Sequence, residues 1–142
     1  THNVSSAASD VYKRQGNILL GKEFKTNEKS TLSIGTRISG AGGRWYGYID
    51  TAASNIQKDI VYQDSLYNTR RLKPYFRADL KVNYKINAEK VTHEIAIDLV
   101  NFLNIKNVLK FTYVTPTADN PDGIAQNYQL VFFPIFYYRL DF

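Results

Sequence analysis

Two histidines, His2 and His93, and no cysteine are all that this 142-residue chain offers for nucleophilic or soft-metal chemistry. His93 stands beside Glu94, the composition of an acid–base or metal pair. Adjacent residues of a strand point to opposite faces, however, so the two cannot converge on one atom. No Ser/His/Asp set is available, because His2 belongs to an opening segment unlike the rest. Asp119-Asn120-Pro121-Asp122-Gly123 carries the oxygen ligands of a calcium loop without their spacing or a terminal Glu, and reads as a turn. Gly40-Ala41-Gly42-Gly43 lacks the Lys-Ser/Thr and the helix of a phosphate loop, and reads as the exit from a strand. The expectation is a protein that is not an enzyme and has no catalytic residue, metal or cofactor.

The elements that carry these residues are strands. Tyr (11) and Phe (8) are abundant, while Ala-rich or Leu-rich helical runs are missing. The formal charge of +5 is spread singly among Asp and Glu, which argues against nucleic acid as a partner. No stretch approaches the ~20 apolar residues of a membrane helix, whereas a membrane strand needs only ~9–11 alternating ones. The chain has no Met and no signal-like start, so it is expected to be a fragment or a processed piece. Asp10-Val11-Tyr12-Lys13-Arg14-Gln15 resembles the translation of a transposon-end adapter used in preparing DNA libraries. Residues 1–15, which include the sequon Asn3-Val4-Ser5, are therefore expected to be an artefactual, non-native prefix, and residues 16–142 the domain proper.

The period predicts strands over residues 17–25, 31–40, 75–86, 91–104 and 127–142. In the third, Phe76, Ala78, Leu80, Val82, Tyr84 and Ile86 alternate with Tyr75, Arg77, Asp79, Lys81, Asn83 and Lys85 without exception. In the last, every even residue from Tyr128 to Phe142 is apolar or aromatic. Short turns at residues 26–30 and 87–90 join the strands into hairpins. The connections over residues 41–73 and 105–126 are long and show no period. The fold class expected is all-β: an antiparallel meander of about five strands, short connections at one end and long ones at the other. That asymmetry marks the C-terminal segment of a transmembrane barrel. Aromatics fall in two bands, Phe24, Tyr84, Phe136, Tyr138 and Phe142 toward the short turns, and Trp45, Tyr46, Tyr48, Tyr75, Phe102, Phe111 and Tyr128 toward the long connections, as in the girdles of such barrels. A soluble barrel with its apolar face inward satisfies the same alternation.

Several blocks in order carry a more specific likeness. These are Leu20-Gly21-Lys22-Glu23-Phe24, Ser39-Gly40-Ala41-Gly42-Gly43-Arg44, the run from Arg77 to Tyr84, Val91-Thr92-His93-Glu94, the run from Asp98 to Val108, and Phe132-Phe133-Pro134-Ile135 with Tyr138-Arg139-Leu140-Asp141-Phe142. Together they resemble the C-terminal barrel portion of a Bacteroidetes-type TonB-dependent outer-membrane receptor, of the subgroup with a carboxypeptidase-like regulatory domain. The resemblance implies a Gram-negative outer-membrane location and TonB-energised uptake of a nutrient such as a siderophore, glycan or peptide. The wall would hold about 22 strands around a plug.

It also implies partners: outer-membrane lipid, the remaining strands and plug, the TonB complex acting through that plug, and the barrel-assembly machinery. Phe142, with Leu140 and Tyr138, is similar to the terminal aromatic signal read by that machinery. In such a barrel Arg37, Arg77, Asp79, Lys81, Glu94, Asp98 and Arg139 would face the lumen, and Trp45, Tyr46 and Tyr48 are possible loop contacts for a ligand. The alternatives are a soluble β-barrel binding a small apolar ligand and a non-transporting surface or adhesin barrel.

Overall fold

The computed structural model describes residues 14–142. Residues 1–13, with the sequon and most of the adapter-like stretch, lie outside the described residues. The strands are β1 (Gln15–Asn27), β2 (Ser30–Ala41), β3 (Trp45–Tyr46), β4 (Arg70–Arg71), β5 (Tyr75–Asn87), β6 (Thr92–Val100), β7 (Val108–Tyr113), β8 (Ile124–Tyr128) and β9 (Phe133–Asp141), with an α-helix, α1 (Thr51–Gln57), and a short 3-10 helix (Asp64–Leu66). The chain is all-β, and its main sheet is antiparallel with the order β1-β2-β5-β6-β9. Two units are distinguished: Gly16–Gly40 with Phe76–Ile105 and Leu130–Phe142, and the remainder, chiefly Ala41–Tyr75 with Lys106–Gln129.

The first unit is the five-stranded sheet. Its hairpins are tight because their polar residues satisfy the turns locally. Asn27 Oδ1 accepts the Lys29 N–H at 3.1 Å, and the Ala88 N–H closes the second turn on the Val91 carbonyl at 2.9 Å. Strand register then sorts the side chains. Leu80 faces Leu99, Val82 faces Ile97 and Tyr84 faces Ile95. Ile95, Ile97 and Leu99 in turn face Tyr138, Phe136 and Pro134. The alternate rows hold Lys81 against Asp98 and Glu94 against Arg139. One face is therefore aliphatic and aromatic and the other is charged. In this sheet the buried apolar side chains are only Ala78 and Ala96. Phe136 lies level with Val82 at the middle of the ladder, not in the band expected near the short turns.

Two boundaries differ from the periodicity, and both differences come from asparagines. β6 stops at Val100 instead of running to residue 104, because Asn101 and Asn104 take positive φ values of 50° and 53°, a conformation Asn tolerates better than most residues. The fully buried Asn101 donates from Nδ2 to the carbonyls of Ile105 and Leu130 at 2.9 and 3.2 Å. Asn104 Oδ1 accepts the Phe132 N–H at 3.2 Å. These bonds take backbone groups of Leu130 and Phe132 out of any ladder. The single closing strand expected over residues 127–142 is consequently divided, with Tyr128 ending β8 and β9 opening at Phe133.

In the second unit the two long connections are ordered. Asp50 caps α1 by accepting the Ala53 N–H at 2.9 Å, and Lys58 ends the helix with φ 57°. The buried Ser54 hydroxyl oxygen accepts the Val61 N–H at 2.9 Å. β3 pairs with β4, Trp45 opposite Arg71 and Tyr46 opposite Arg70. β7 pairs with β8 in a hairpin whose far turn is closed by Gly123, at φ 65°. Gly43 has no room for a side chain, since a Cβ there would coincide with the Leu72 carbonyl.

Candidate functional site

Strand parity decides which functional side chains can meet. On the charged face, Arg77 Nε donates to Asp79 Oδ1 at 2.7 Å, and the same oxygen accepts the Asn101 N–H at 2.8 Å. Lys81 lies 3.8 Å from Asp98 and 5.1 Å from the centre of the Tyr137 ring. The Tyr137 hydroxyl donates to Glu94 Oε1 at 3.1 Å, which also accepts from Asn83 Nδ2 at 2.7 Å. Arg139 holds the other Glu94 oxygen at 2.9 Å and reaches Asp141 at 3.0 Å.

Arg37, Arg77, Asp79, Lys81 and Asp98 line one cleft of about 300 Å³, while Glu94 and Arg139 pair with each other nearer the short turns. All seven expected charges thus lie on one face of one sheet. Chemically six of the seven form neutralised pairs that keep charges hydrated and ordered, and Arg37 lies in the same cleft as Asp79. It offers no free base beside a nucleophile. Asn83 and Tyr137 belong to this network although charge alone did not single them out; their shared parity with Lys81 and Arg139 was the available signal.

His93 sits on the other face, opposite Leu140, with Nδ1 hydrogen-bonded to the Tyr138 hydroxyl at 2.7 Å. Glu94 faces away from it into the charged network. Tyr138 and Leu140 therefore project from the apolar face. Phe142 follows the last strand residue and is 96% exposed.

In the second unit, Trp45, Tyr46 and Tyr48 are set apart from one another by what covers them. The Arg71 guanidinium lies 5.3 Å from the Trp45 ring and that of Arg70 lies 5.5 Å from the Tyr48 ring. Tyr46 packs against Phe111 with ring centres 5.0 Å apart. Trp45 and Tyr48 remain exposed, each beneath its own guanidinium, and Arg70 and Arg71, adjacent on β4, point to opposite faces of the ribbon. The arginines were not foreseen, because their pairing with Trp45 and Tyr46 is made across a connection of irregular sequence.

Among the described residues no group of three or more His, Asp or Glu side chains is placed to hold a metal ion. No helix among them is long and apolar enough to cross a membrane, which says nothing of crossing by strands. Comparison with protein-family models, with curated proteins and with solved structures finds no match to this chain.

Proposed function

We propose that the five-stranded sheet is part of the wall of an outer-membrane β-barrel receptor that takes up a nutrient with TonB-coupled energy. The observation that carries this reading is the division of the sheet's two faces. Ile95, Phe136 and Tyr138 are 49%, 70% and 60% exposed on one side, and the opposite side carries the ion pairs Arg77–Asp79, Lys81–Asp98 and Glu94–Arg139. Contiguous exposed apolar surface on this scale marks contact with another apolar phase. An aliphatic outer face with a polar inner one is the arrangement of a barrel wall in lipid.

β1 and β9 each have a ladder partner on one side only. In lipid those edges require further strands, which fits a wall of about 22 strands. The block-by-block resemblance supplies the family, and with it the plug, TonB and the assembly machinery as partners. Lys22 is the exception on the apolar row of β1; its ammonium lies 5.2 Å from the Phe24 ring centre, a position from which a long side chain reaches polar headgroups.

The experiment is extraction of the native protein from its membranes. Resistance to carbonate washing, with release only by detergent and a heat-dependent electrophoretic mobility, is the expected result. Recovery in the soluble fraction without detergent would overturn the membrane reading and favour a soluble barrel that closes its apolar face inward on a ligand.

A further inference from the structure

The unit built from the two long connections contains a cleft of about 260 Å³ whose lining includes Arg44, Lys73, Asn107 and Gln129 and no carboxylate. Arg44 Nη2 donates to the Leu109 carbonyl at 2.8 Å. Arg71, whose guanidinium lies against the cleft residue Gly42, donates from Nε to the Gly43 carbonyl at 3.0 Å. Among the described residues, none of Arg44, Arg71 and Lys73 is ion-paired. In the sheet, by contrast, Arg77, Lys81 and Arg139 each meet a carboxylate. Here Arg44 and Lys73 line the cleft, Arg71 reaches its Gly42 edge, and the acceptors that answer the two arginines are neutral carbonyls.

A cluster of like charges is unfavourable unless an anion compensates it. Guanidinium, ammonium and amide N–H groups are the donors that recognise carboxylate and phosphate oxygens. The backbone approach of Gly43 to Leu72 fixes the two sides of the cleft, so the donors are held in place before any ligand arrives. We infer that this cleft binds the carboxylate or phosphate group of a small solute. Its volume suits one such group, or the anionic end of a larger molecule. The inference concerns one unit and does not rest on the membrane reading, and the two tests fail separately.

The chain has a single tryptophan, Trp45, which lies under Arg71, so its emission reports on that guanidinium. The experiment titrates the full folded chain, in buffer or in detergent according to how it is extracted, with citrate and with inorganic phosphate at constant ionic strength. Sodium chloride and glucose serve as controls. A saturable change with citrate or phosphate is expected, and the responding anion identifies the preferred oxyanion. K73Q and R44Q should each weaken the midpoint roughly tenfold. K73Q alters an exposed side chain, so it keeps the test decisive where R44Q loses its fold. No saturable change up to ~10 mM, the same change with chloride or glucose, or an unchanged midpoint in K73Q would overturn the inference.

Discussion

The Asn101 N–H donates to the Asp79 carboxylate at 2.8 Å, so the residue that terminates β6 is tied by its backbone to the charged face of β5. Its side chain meanwhile serves Ile105 and Leu130. Asn101→Ala removes the side-chain bonds to Ile105 and Leu130 and empties a buried position, in a backbone conformation Ala tolerates poorly. A loss of about 3 kcal/mol is expected from urea unfolding in detergent. Asn101→Gly keeps the conformation and should recover only part of it. Equal stability of the Ala variant and the parent would contradict this account.

Gly43→Ala should act within the other unit. The new Cβ meets the Leu72 carbonyl, so the Leu72 N–H bond to Arg44 and the β3–β4 pairing must give way. Amide exchange at Tyr46 and Leu72 is expected to reveal local opening favoured by about 2 kcal/mol, with exchange in β5 and β6 unchanged.

A charge on the apolar face separates lipid from water. Phe136→Arg should cost ~2–4 kcal/mol of barrel stability if that face meets hydrocarbon. If it meets water the same change should be nearly neutral, which reversible unfolding in lipid vesicles distinguishes.

Removal of Phe142 tests the assembly role proposed for the terminal aromatic with Leu140 and Tyr138. In the native membrane the deletion should lower the fraction of heat-modifiable, folded protein several-fold. An unchanged fraction would reduce Phe142 to an ordinary strand end.

Tyr62, in the second unit, has its pKa raised above 10.0 by burial, against the opposing pull of Arg44. The folded state therefore keeps this proton at pH values where the unfolded chain has already lost it. The associated stability is present below pH 10 and falls as pH rises through the folded pKa. Alkaline unfolding followed by Trp45 emission should move to higher pH in Tyr62→Phe, and no movement would remove Tyr62 as the cause.

Sequence periodicity reached the sheet and stopped at its rims. Alternation over residues 75–86 and 91–99 assigned the row of Arg77, Asp79, Lys81, Glu94 and Asp98, because parity is a local property of an extended chain. The ends of β6 and β9 escaped it because they are set by Asn101 and Asn104, whose partners lie 29 and 28 residues away. α1 escaped because a helix of seven residues shows too little of its period. The signal available there was Asp50 ahead of Thr-Ala-Ala-Ser. The β7–β8 hairpin was hidden by reading Tyr128 with the closing strand. The arginines over Trp45 and Tyr48 had no short-range signal, since a two-residue pairing leaves no alternation to detect.

The ladder between β6 and β9 has a consequence for misassembly. Sliding β9 by one residue along β6 would exchange its faces, carrying Arg139 and Asp141 onto the apolar side and Phe136 and Tyr138 onto the charged one. A slide of two residues keeps the faces but sets Arg139 opposite Ala96 and strands the Glu94 carboxylate. The Glu94–Arg139 pair thus acts less as an adhesive than as a key, admitting one alignment of the last strand and rejecting its neighbours.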